Sequence, residues 1–265
     1  MAPKSVRTVL SVLFFVFLMA MWVCAFTICA PLTLLLLPFV SRHRRQNIVG
    51  RVWRSFNVFL ISPLWGLKVI GCETKDSKRT IFMINHASNC DPFLAASALY
   101  PWECKWICKG SLMKVPFGGW CLSLAGDLAV HFTKEKDGWG TKKGSVSSMM
   151  SEAASLLRED YPIAVFPEGV RTNDPFGPLQ TFKPGFFDLA MKEGARISPV
   201  VITNSHEAWG VHDWRVNPVT CYCKIGKPIE ASTYDSVEKL IADVHAVMTR
   251  MRSETFSYSR AKLKA

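Results

Sequence analysis

Residues 80–92 read TIFMINHASNCDP, an apolar run that leads directly into a cluster of polar side chains. The run 80–84 has the length and composition of a buried β-strand. Open α/β sheets place their binding sites at the carboxyl ends of such strands. Asp91 followed by Pro92 is also an ordinary helix start, with Asp as the N-cap and Pro in the first turn. The two interpretations are compatible, because a fixed carboxylate can also orient the imidazole of His86.

A second apolar run, 162–166, ends in the same way, in the sequence FPEGVRT of residues 166–172. An arginine can hold a phosphate through paired N–H donors, and a glycine lets the backbone approach a ligand closely. Arg171 and Gly169 therefore indicate an anion-binding loop. The structural alternative is an ion pair between Glu168 and Arg171.

The chain after residue 71 alternates short apolar runs with amphipathic stretches. Such alternation predicts an α/β domain, with a mixed central sheet flanked by helices. We expect strands near residues 80–84, 104–108, 127–132, 162–166, 197–202 and 219–225. We expect helices near residues 92–99, part of 111–124, 142–158, 184–193 and 235–253.

The amino-terminal region has no charged residue between positions 8 and 40. Residues 8–30 alone would form about 35 Å of helix, enough to cross a hydrocarbon core of roughly 30 Å. Basic residues follow instead of a small-residue cleavage site, which indicates a retained membrane anchor rather than a signal peptide. Because Pro31 and Pro38 disfavour one straight helix, two arrangements remain open. One is a single span ending near Ala30, and the other is a helix that breaks and returns at Pro31; the basic flanks favour the second.

A second apolar segment, 52–70, is too interrupted by Pro63 and Gly66 to span a membrane. It predicts a helix that either lies in the membrane interface or packs in the core of the following domain. We therefore divide the chain into a membrane-anchoring and interfacial segment, 1–71, and an α/β domain, 72–265.

The charge balance also indicates a membrane partner. The 265-residue chain has a formal net charge of +11, and residues 1–71 carry basic but no acidic side chains. Basic residues beside apolar sequence predict attraction to an anionic lipid surface. We expect no nucleic-acid partner, because no recognition helix, zinc-finger spacing or aromatic single-strand motif accompanies the charge. The nine cysteines contain no C-x-x-C pair, which predicts free thiols in a reducing compartment and no bound metal.

Taken together, the two polar segments resemble the signature of the glycerolipid acyltransferases, and specifically of the lysophosphatidic acid acyltransferases. The family pattern is N-H-x-S-x-x-D followed by F-P-E-G-x-R, and this chain carries it at 85–91 and 166–171. The resemblance extends over about residues 72–205. Other segments similar to the family's conserved blocks are 109–112, 115–118, 182–185 and 197–201.

The resemblance implies a mechanism. His86 would be the general base that activates the free hydroxyl of a lysolipid, and Asp91 would orient its ring and stabilise its charge. The hydroxyl would attack the thioester of acyl-CoA, or of another acyl carrier, directly, and the sequence contains no G-x-S-x-G elbow. The residues implied in binding the lipid phosphate are Arg171, Lys109 and Gly169. Those implied in orienting or supporting roles are Glu168, Asn85 and Ser88.

The implied reaction acylates the sn-2 hydroxyl of lysophosphatidate to phosphatidate in phospholipid biosynthesis, without a cofactor. Glycerol 3-phosphate or another lysophospholipid is an alternative acceptor, and a non-catalytic membrane-binding scaffold is a more distant alternative. The implied location is a membrane with the catalytic domain facing the cytosol, at the endoplasmic reticulum in a eukaryote. Two positions depart from the family pattern. Its second block usually ends in an arginine, where this chain offers His131 and Lys134, and Val170 replaces a usual Thr or Ser.

Overall fold

The computed structural model describes residues 3–61, 64–135, 138–141 and 144–264. The helices are α1 (Lys4–Leu36), α2 (Arg42–Ile61), α3 (Asp91–Leu99), α4 (Gly118–Leu124), α5 (Ser145–Arg158), α6 (Gly185–Lys192), α7 (Ser205–Ala208) and α8 (Val237–Lys264). The strands are β1 (Trp65–Cys72), β2 (Thr80–Ile84), β3 (Lys105–Lys109), β4 (Leu128–Val130), β5 (Phe132–Glu135), β6 (Gly138–Thr141), β7 (Ile163–Val165), β8 (Arg196–Thr203), β9 (Val219–Ile225) and β10 (Ile229–Glu230).

The central sheet has the strand order β1-β9-β8-β2-β7-β3-β4, and β10 pairs with β8. β8 is antiparallel to β9 and β10, and the other neighbouring strands are parallel. Every residue of β2 is buried, because helices cover both faces of the sheet. Helices α5, α6 and α8 cover one face, and α1 and α3 cover the other. The predicted mixed sheet flanked by helices, with an apolar helix before it, is confirmed.

The polar segments of the sequence lie at one edge of the sheet. β2, β7 and β3 are parallel neighbours, so their carboxyl ends lie side by side. The segments that follow these strands, 85–91, 166–172 and 110–117, therefore start from the same edge. This arrangement brings the two polar segments of the sequence together.

The predicted helix over 52–70 is wrong in its second half. α2 ends at Ile61, and β1 then pairs in parallel with β9 at the margin of the sheet. In β1, Trp65 pairs with Val219, a partner too distant along the chain for a local pattern to indicate. In α2, Trp53 and Leu60 are buried against the core, so the core-helix alternative is correct for this part.

Smaller differences concern element boundaries. The predicted strand 127–132 is divided between β4 and β5, and neither the β5–β6 hairpin nor α7 was expected. α8 continues to Lys264, beyond the predicted end at residue 253. Positions 142 and 143 of the predicted helix 142–158 lie outside the described residues.

α1 continues through Pro31 to Leu36, so the predicted break at Pro31 and the predicted end near Ala30 are both wrong. The chain turns over residues 37–40 instead. A proline removes one hydrogen bond from a helix. Here the turns before it pack against α2 and α4, and this tertiary packing supports the helix where local propensity would end it.

α1 and α2 form an antiparallel helical hairpin. Near its tip, Sγ of Cys29 lies 3.8 Å from the carbonyl oxygen of Val49. Further along, Ala25 packs with Trp53 in one buried cluster. At the base, Leu18 and Leu60 belong to the same buried cluster as β2. The hairpin is therefore continuous with the core of the domain.

α1 is, among the residues that the structure describes, the one helix long and apolar enough to cross a membrane, with a mean hydropathy of 2.6 over its most apolar 18 residues. Only 22% of its most apolar window is buried within the protein. The remaining apolar side chains need another apolar environment, which indicates membrane association.

Four charged side chains are buried where α2 meets the sheet: Arg54, Glu103, Lys105 and Asp127. Nη2 of Arg54 donates to both carboxylate oxygens of Asp127, at 2.7 and 2.6 Å, and the N–H of Trp106 donates to the same carboxylate at 2.9 Å. Nζ of Lys105 lies 3.5 Å from Oε1 of Glu103. Burial raises the pKa of Glu103 to about 7 and lowers the pKa of Lys105. This buried charge cluster, which sequence analysis missed, joins α2 to β3 and the start of β4.

Candidate active site

His86, in the loop between β2 and α3, contacts Asp91, the first residue of α3. Nδ1 of His86 lies 2.9 Å from Oδ2 of Asp91. The same oxygen accepts the backbone N–H groups of Ala87 and Ser88, each at 2.7 Å. An ionised carboxylate only accepts hydrogen bonds, so this contact favours the neutral tautomer with the proton on Nδ1 and the lone pair on Nε2.

The two side chains differ in their access to solvent. Asp91 is fully buried, whereas the side chain of His86 is 16% exposed. The prediction that Asp91 caps α3 is wrong, because Asp91 is the first residue of the helix and Cys90 precedes it in the cap position. Its carboxylate binds the preceding loop rather than the N–H groups of the helix. The result is an imidazole that is fixed from one side and accessible from the other.

Phe166, at the start of the second motif, forms one wall of the site. Its ring stacks on the imidazole of His86, with centroids 4.0 Å apart and an interplanar angle of 18°. Trp106 of β3 lies behind it, at 6.0 Å. The stacked ring restricts the imidazole to one plane, so the direction of Nε2 is determined by Phe166 as well as by Asp91.

Glu168 joins the two motifs through backbone groups. Its Oε1 accepts the N–H of His86 at 2.8 Å, and its Oε2 accepts the N–H of Gln180 at 3.1 Å. The side chain is buried. Among the described residues Glu168 makes no ion pair with Arg171. The ion pair considered as the structural alternative for these two residues is therefore wrong. Glu168 therefore connects the His86 loop to the backbone at Gln180, and its orienting role stays a prediction.

Arg171 lies beside the first motif, and its side chain is exposed. Nη1 of Arg171 donates to Oδ1 of Asn89. The next residue, Thr172, donates its N–H to the carbonyl oxygen of His86 at 2.8 Å. Gly169 has a φ of +73°, a conformation that side chains with a Cβ rarely adopt, and this turn returns the chain toward His86. The predicted anion-binding loop is therefore attached directly to the loop that holds the imidazole.

Lys109 ends β3 and is exposed at the same edge of the sheet. His131, one of the two residues in place of the usual arginine, follows β4, which is the parallel neighbour of β3. Its ring packs on Gly110 so closely that a Cβ there would lie 2.3 Å from Nδ1 of His131. The side chain of Lys134 lies outside the described residues. The structure thus brings Lys109 and His131 to the edge occupied by both motifs.

Asn85 and Ser88 attach the His86 loop to the rest of the domain. The side-chain amide of Asn85 both donates to and accepts from the backbone of Ile202, at 3.0 and 2.7 Å. Oγ of Ser88 donates to the carbonyl oxygen of Trp209 at 2.6 Å. Both side chains are buried. The supporting roles of Asn85 and Ser88 stay predictions, which these contacts make structurally possible.

Sequence reasoning did not single out Phe166, Asn89 or the segment that starts at Trp209. Phe166 and Asn89 lie inside the two motifs, close to Arg171 and His86 along the chain. This closeness in sequence could have marked them as part of the site. Trp209 is distant from both motifs along the chain, and no local pattern marks it as part of the site.

Comparison with known proteins shows that this chain is similar in sequence to acyltransferases. The profile of the family described as Acyltransferase matches residues 66–203. A 1-acyl-sn-glycerol-3-phosphate acyltransferase from Haemophilus influenzae is 32% identical over 219 residues, covering 80% of this chain and 85% of its own. One of the same name from Limnanthes douglasii is 28% identical and covers 82% of this chain and 73% of its own.

A similar fold occurs among solved structures. The crystal structure of the 1-acyl-sn-glycerophosphate acyltransferase PlsC from Thermotoga maritima matches with a TM-score of 0.72 and 21% identity. The match covers 94% of this chain and 97% of that one. Because it extends over almost the whole chain, the helices that precede the sheet are part of the shared fold.

Proposed function

Because this chain belongs to the acyltransferase family, we propose that it transfers a fatty acyl group from acyl-CoA to the sn-2 hydroxyl of lysophosphatidate, giving phosphatidate. The acceptor is the one that the names of the relatives indicate. The chemistry requires an activated acyl thioester, for which acyl-CoA is proposed as the donor and another acyl thioester carrier is the alternative. It is a cosubstrate, and the proposal includes no metal or other cofactor.

The observation that carries the proposal is the His86–Asp91 pair. With its proton on Nδ1 and that proton held by Asp91, the imidazole can accept the hydroxyl proton at Nε2. The freed oxygen attacks the thioester carbonyl, the C–S bond breaks, and the thiolate recovers the proton from His86. Asp91 stabilises the imidazolium formed between these steps, as in a Ser-His-Asp triad whose serine is replaced by the substrate hydroxyl.

Arg171, Lys109 and Gly169 are proposed to bind the phosphate of the acceptor. Arg171 offers the planar guanidinium that suits a phosphate, and its loop is bonded to the backbone of His86. Lys109 adds a second cation from the neighbouring strand, and Gly169 allows a tight turn of the loop. A phosphate held there lies on the edge of the sheet that carries the general base.

The membrane arrangement is part of the proposal. Arg7 near the start of α1 contacts Asp213 of the domain, and Phe26 further along contacts Trp120. Because α1 contacts the domain from Arg7 to Phe26, we propose that it lies along the domain instead of crossing the bilayer, with both termini on the cytosolic side. The exposed apolar side chains of the hairpin then face one leaflet, and the catalytic domain remains on the cytosolic side, at the endoplasmic reticulum in a eukaryote.

A protease-protection experiment tests the arrangement. With a tag at Met1 in sealed vesicles whose cytosolic face is outward, we expect protease to remove both this tag and a carboxyl-terminal tag. Protection of the tag at Met1 alone would support a single span and contradict the arrangement proposed here.

His86→Ala tests the chemistry. We expect a loss of about 10²- to 10⁴-fold in turnover with lysophosphatidate and acyl-CoA, because the general base is removed. His43→Ala is the matched control, since His43 lies on α2 and contacts Glu152 and Glu159. Purified membranes would be assayed with labelled acyl-CoA and a panel of lysophosphatidate, glycerol 3-phosphate and lysophospholipids with substituted head groups. More than a tenth of wild-type turnover in His86→Ala would contradict the mechanism, and a preference for another acceptor would correct the substrate.

A further inference from the structure

Asn89, in the middle of the first motif, forms hydrogen bonds through both polar atoms of its side-chain amide. Nδ2 donates to the carbonyl oxygen of Gly210 at 3.0 Å, and Oδ1 accepts from the guanidinium of Arg171. Its backbone N–H donates to the carbonyl oxygen of Trp209 at 3.3 Å. The amide therefore bridges the segment that begins at Trp209 and the loop of the second motif.

Arg171 needs such a partner for a physical reason. Its side chain is long and exposed, and a guanidinium that samples many rotamers loses conformational freedom when it binds a phosphate. A neutral amide oxygen can restrict the guanidinium while leaving its positive charge uncompensated. A carboxylate at the same position would also restrict it, but would cancel the charge that attracts a phosphate.

The other end of the bridge is held by the amino-terminal helix. Oγ of Ser11 in α1 accepts the buried N–H of Val216 at 2.9 Å, and Arg7 bonds Asp213 at 3.1 Å. Phe15 packs edge-on against Trp209, with ring centroids 5.5 Å apart. The segment 209–216 is therefore attached to α1 on one side and to the first motif on the other.

We propose that Asn89 is a positioning residue that holds Arg171 in the orientation in which it receives the acceptor's phosphate. The inference rests on the proposed function, in which Arg171 binds that phosphate. It assigns the holding role to an amide that is itself fixed by the segment 209–216. That segment is in turn held by α1.

Asn89→Ala tests this assignment. We expect the KM for lysophosphatidate to rise about 10-fold, because a hydrogen bond to a charged group is lost, with kcat and the KM for acyl-CoA within 2-fold of wild type. Asn47→Ala is the control, since Asn47 is a half-buried asparagine on α2 that lies outside both motifs and outside the segment 209–216. Asn89→Asp should raise the same KM further, because the carboxylate pairs with the guanidinium and repels the phosphate. The melting temperature of each variant shows whether it is folded.

A double-mutant cycle separates positioning from a general loss of structure. In the Arg171→Ala background, Asn89→Ala should cause no further change in the KM for lysophosphatidate. If the two substitutions instead raise the KM for lysophosphatidate by independent factors that multiply, the positioning role is overturned and the proposed function remains intact. A fall in kcat at unchanged acceptor KM would also overturn it, because Asn89 would then support the His86 loop alone. If Arg171→Ala itself leaves the acceptor KM unchanged, the phosphate assignment in the proposed function fails together with this inference.

Discussion

Asp91 and Asp127 are both buried carboxylates in this fold, but they bind partners of different kinds. Oδ2 of Asp91 accepts three N–H groups from the five residues before it, one of them from the His86 ring. Asp127 instead binds the guanidinium of Arg54, 73 residues away, and the N–H of Trp106. Asp91 holds a side chain whose other end is accessible, whereas Asp127 is closed off inside the protein.

This difference shows what each carboxylate contributes. A buried charge is costly unless it is paired and hydrogen-bonded. At Asp91 the cost is offset by groups of the preceding loop, and the result is an oriented imidazole. At Asp127 it is offset by a cation from α2, and the result is a joint between the helical hairpin and the sheet. Neutralising the two carboxylates should therefore have different consequences.

Replacing each aspartate by asparagine gives the largest expected contrast. Asp91→Asn should lower turnover by about 10²- to 10⁴-fold, because an amide no longer favours the Nδ1–H tautomer or stabilises the imidazolium. Asp127→Asn should lower the melting temperature and leave turnover per folded molecule nearly unchanged. The measurements are kcat, corrected for the folded fraction, and thermal unfolding in detergent. The comparison fails if Asp127→Asn reduces turnover of the folded enzyme as much as Asp91→Asn does.

Arg54→Met should have the next largest effect. It leaves the carboxylate of Asp127 buried without its cation, which typically costs about 3–5 kcal/mol of stability. Adding Asp127→Asn to Arg54→Met should recover part of this loss, because the remaining Glu103–Lys105 pair is formally neutral. Chemical or thermal unfolding of the single and double variants measures the coupling. A double variant less stable than Arg54→Met alone would contradict the joint described here.

The smallest expected effect concerns pH. Burial raises the pKa of Glu103 from 4.5 to about 7, and Asp127 also raises it, although Arg54 and Lys105 oppose the shift. A carboxyl whose pKa is raised in the folded state stabilises the fold below its unfolded pKa and loses that contribution as pH rises through the folded value. Wild type should therefore lose stability between pH 5 and pH 8 relative to Glu103→Gln. Melting temperatures of both proteins at the two pH values test this, and parallel pH profiles would show that Glu103 does not titrate in this range.

The parts of the fold that sequence analysis predicted correctly are those decided within a few residues. The apolar run of β2 and the polar residues after it place His86 and Asp91 in one loop, and their contact spans five positions. Predictions for the strands β7, β8 and β9 succeeded for the same reason, since a buried strand consists of apolar residues whatever its neighbours are.

Only the tertiary structure decided the remaining features, because their partners are far apart along the chain. β1 is a strand because it pairs with β9 at the edge of the sheet, whereas its sequence alone was interpreted as part of a helix. α1 continues past Pro31 because α2 and α4 pack against it. Asp91 does not cap α3, because its carboxylate is hydrogen-bonded to the preceding loop. Asp127 pairs with Arg54, a cation on α2. Short-range patterns determine which groups are available, and long-range packing determines which of them meet, because the free energy of burial depends on contacts that no short stretch of sequence contains.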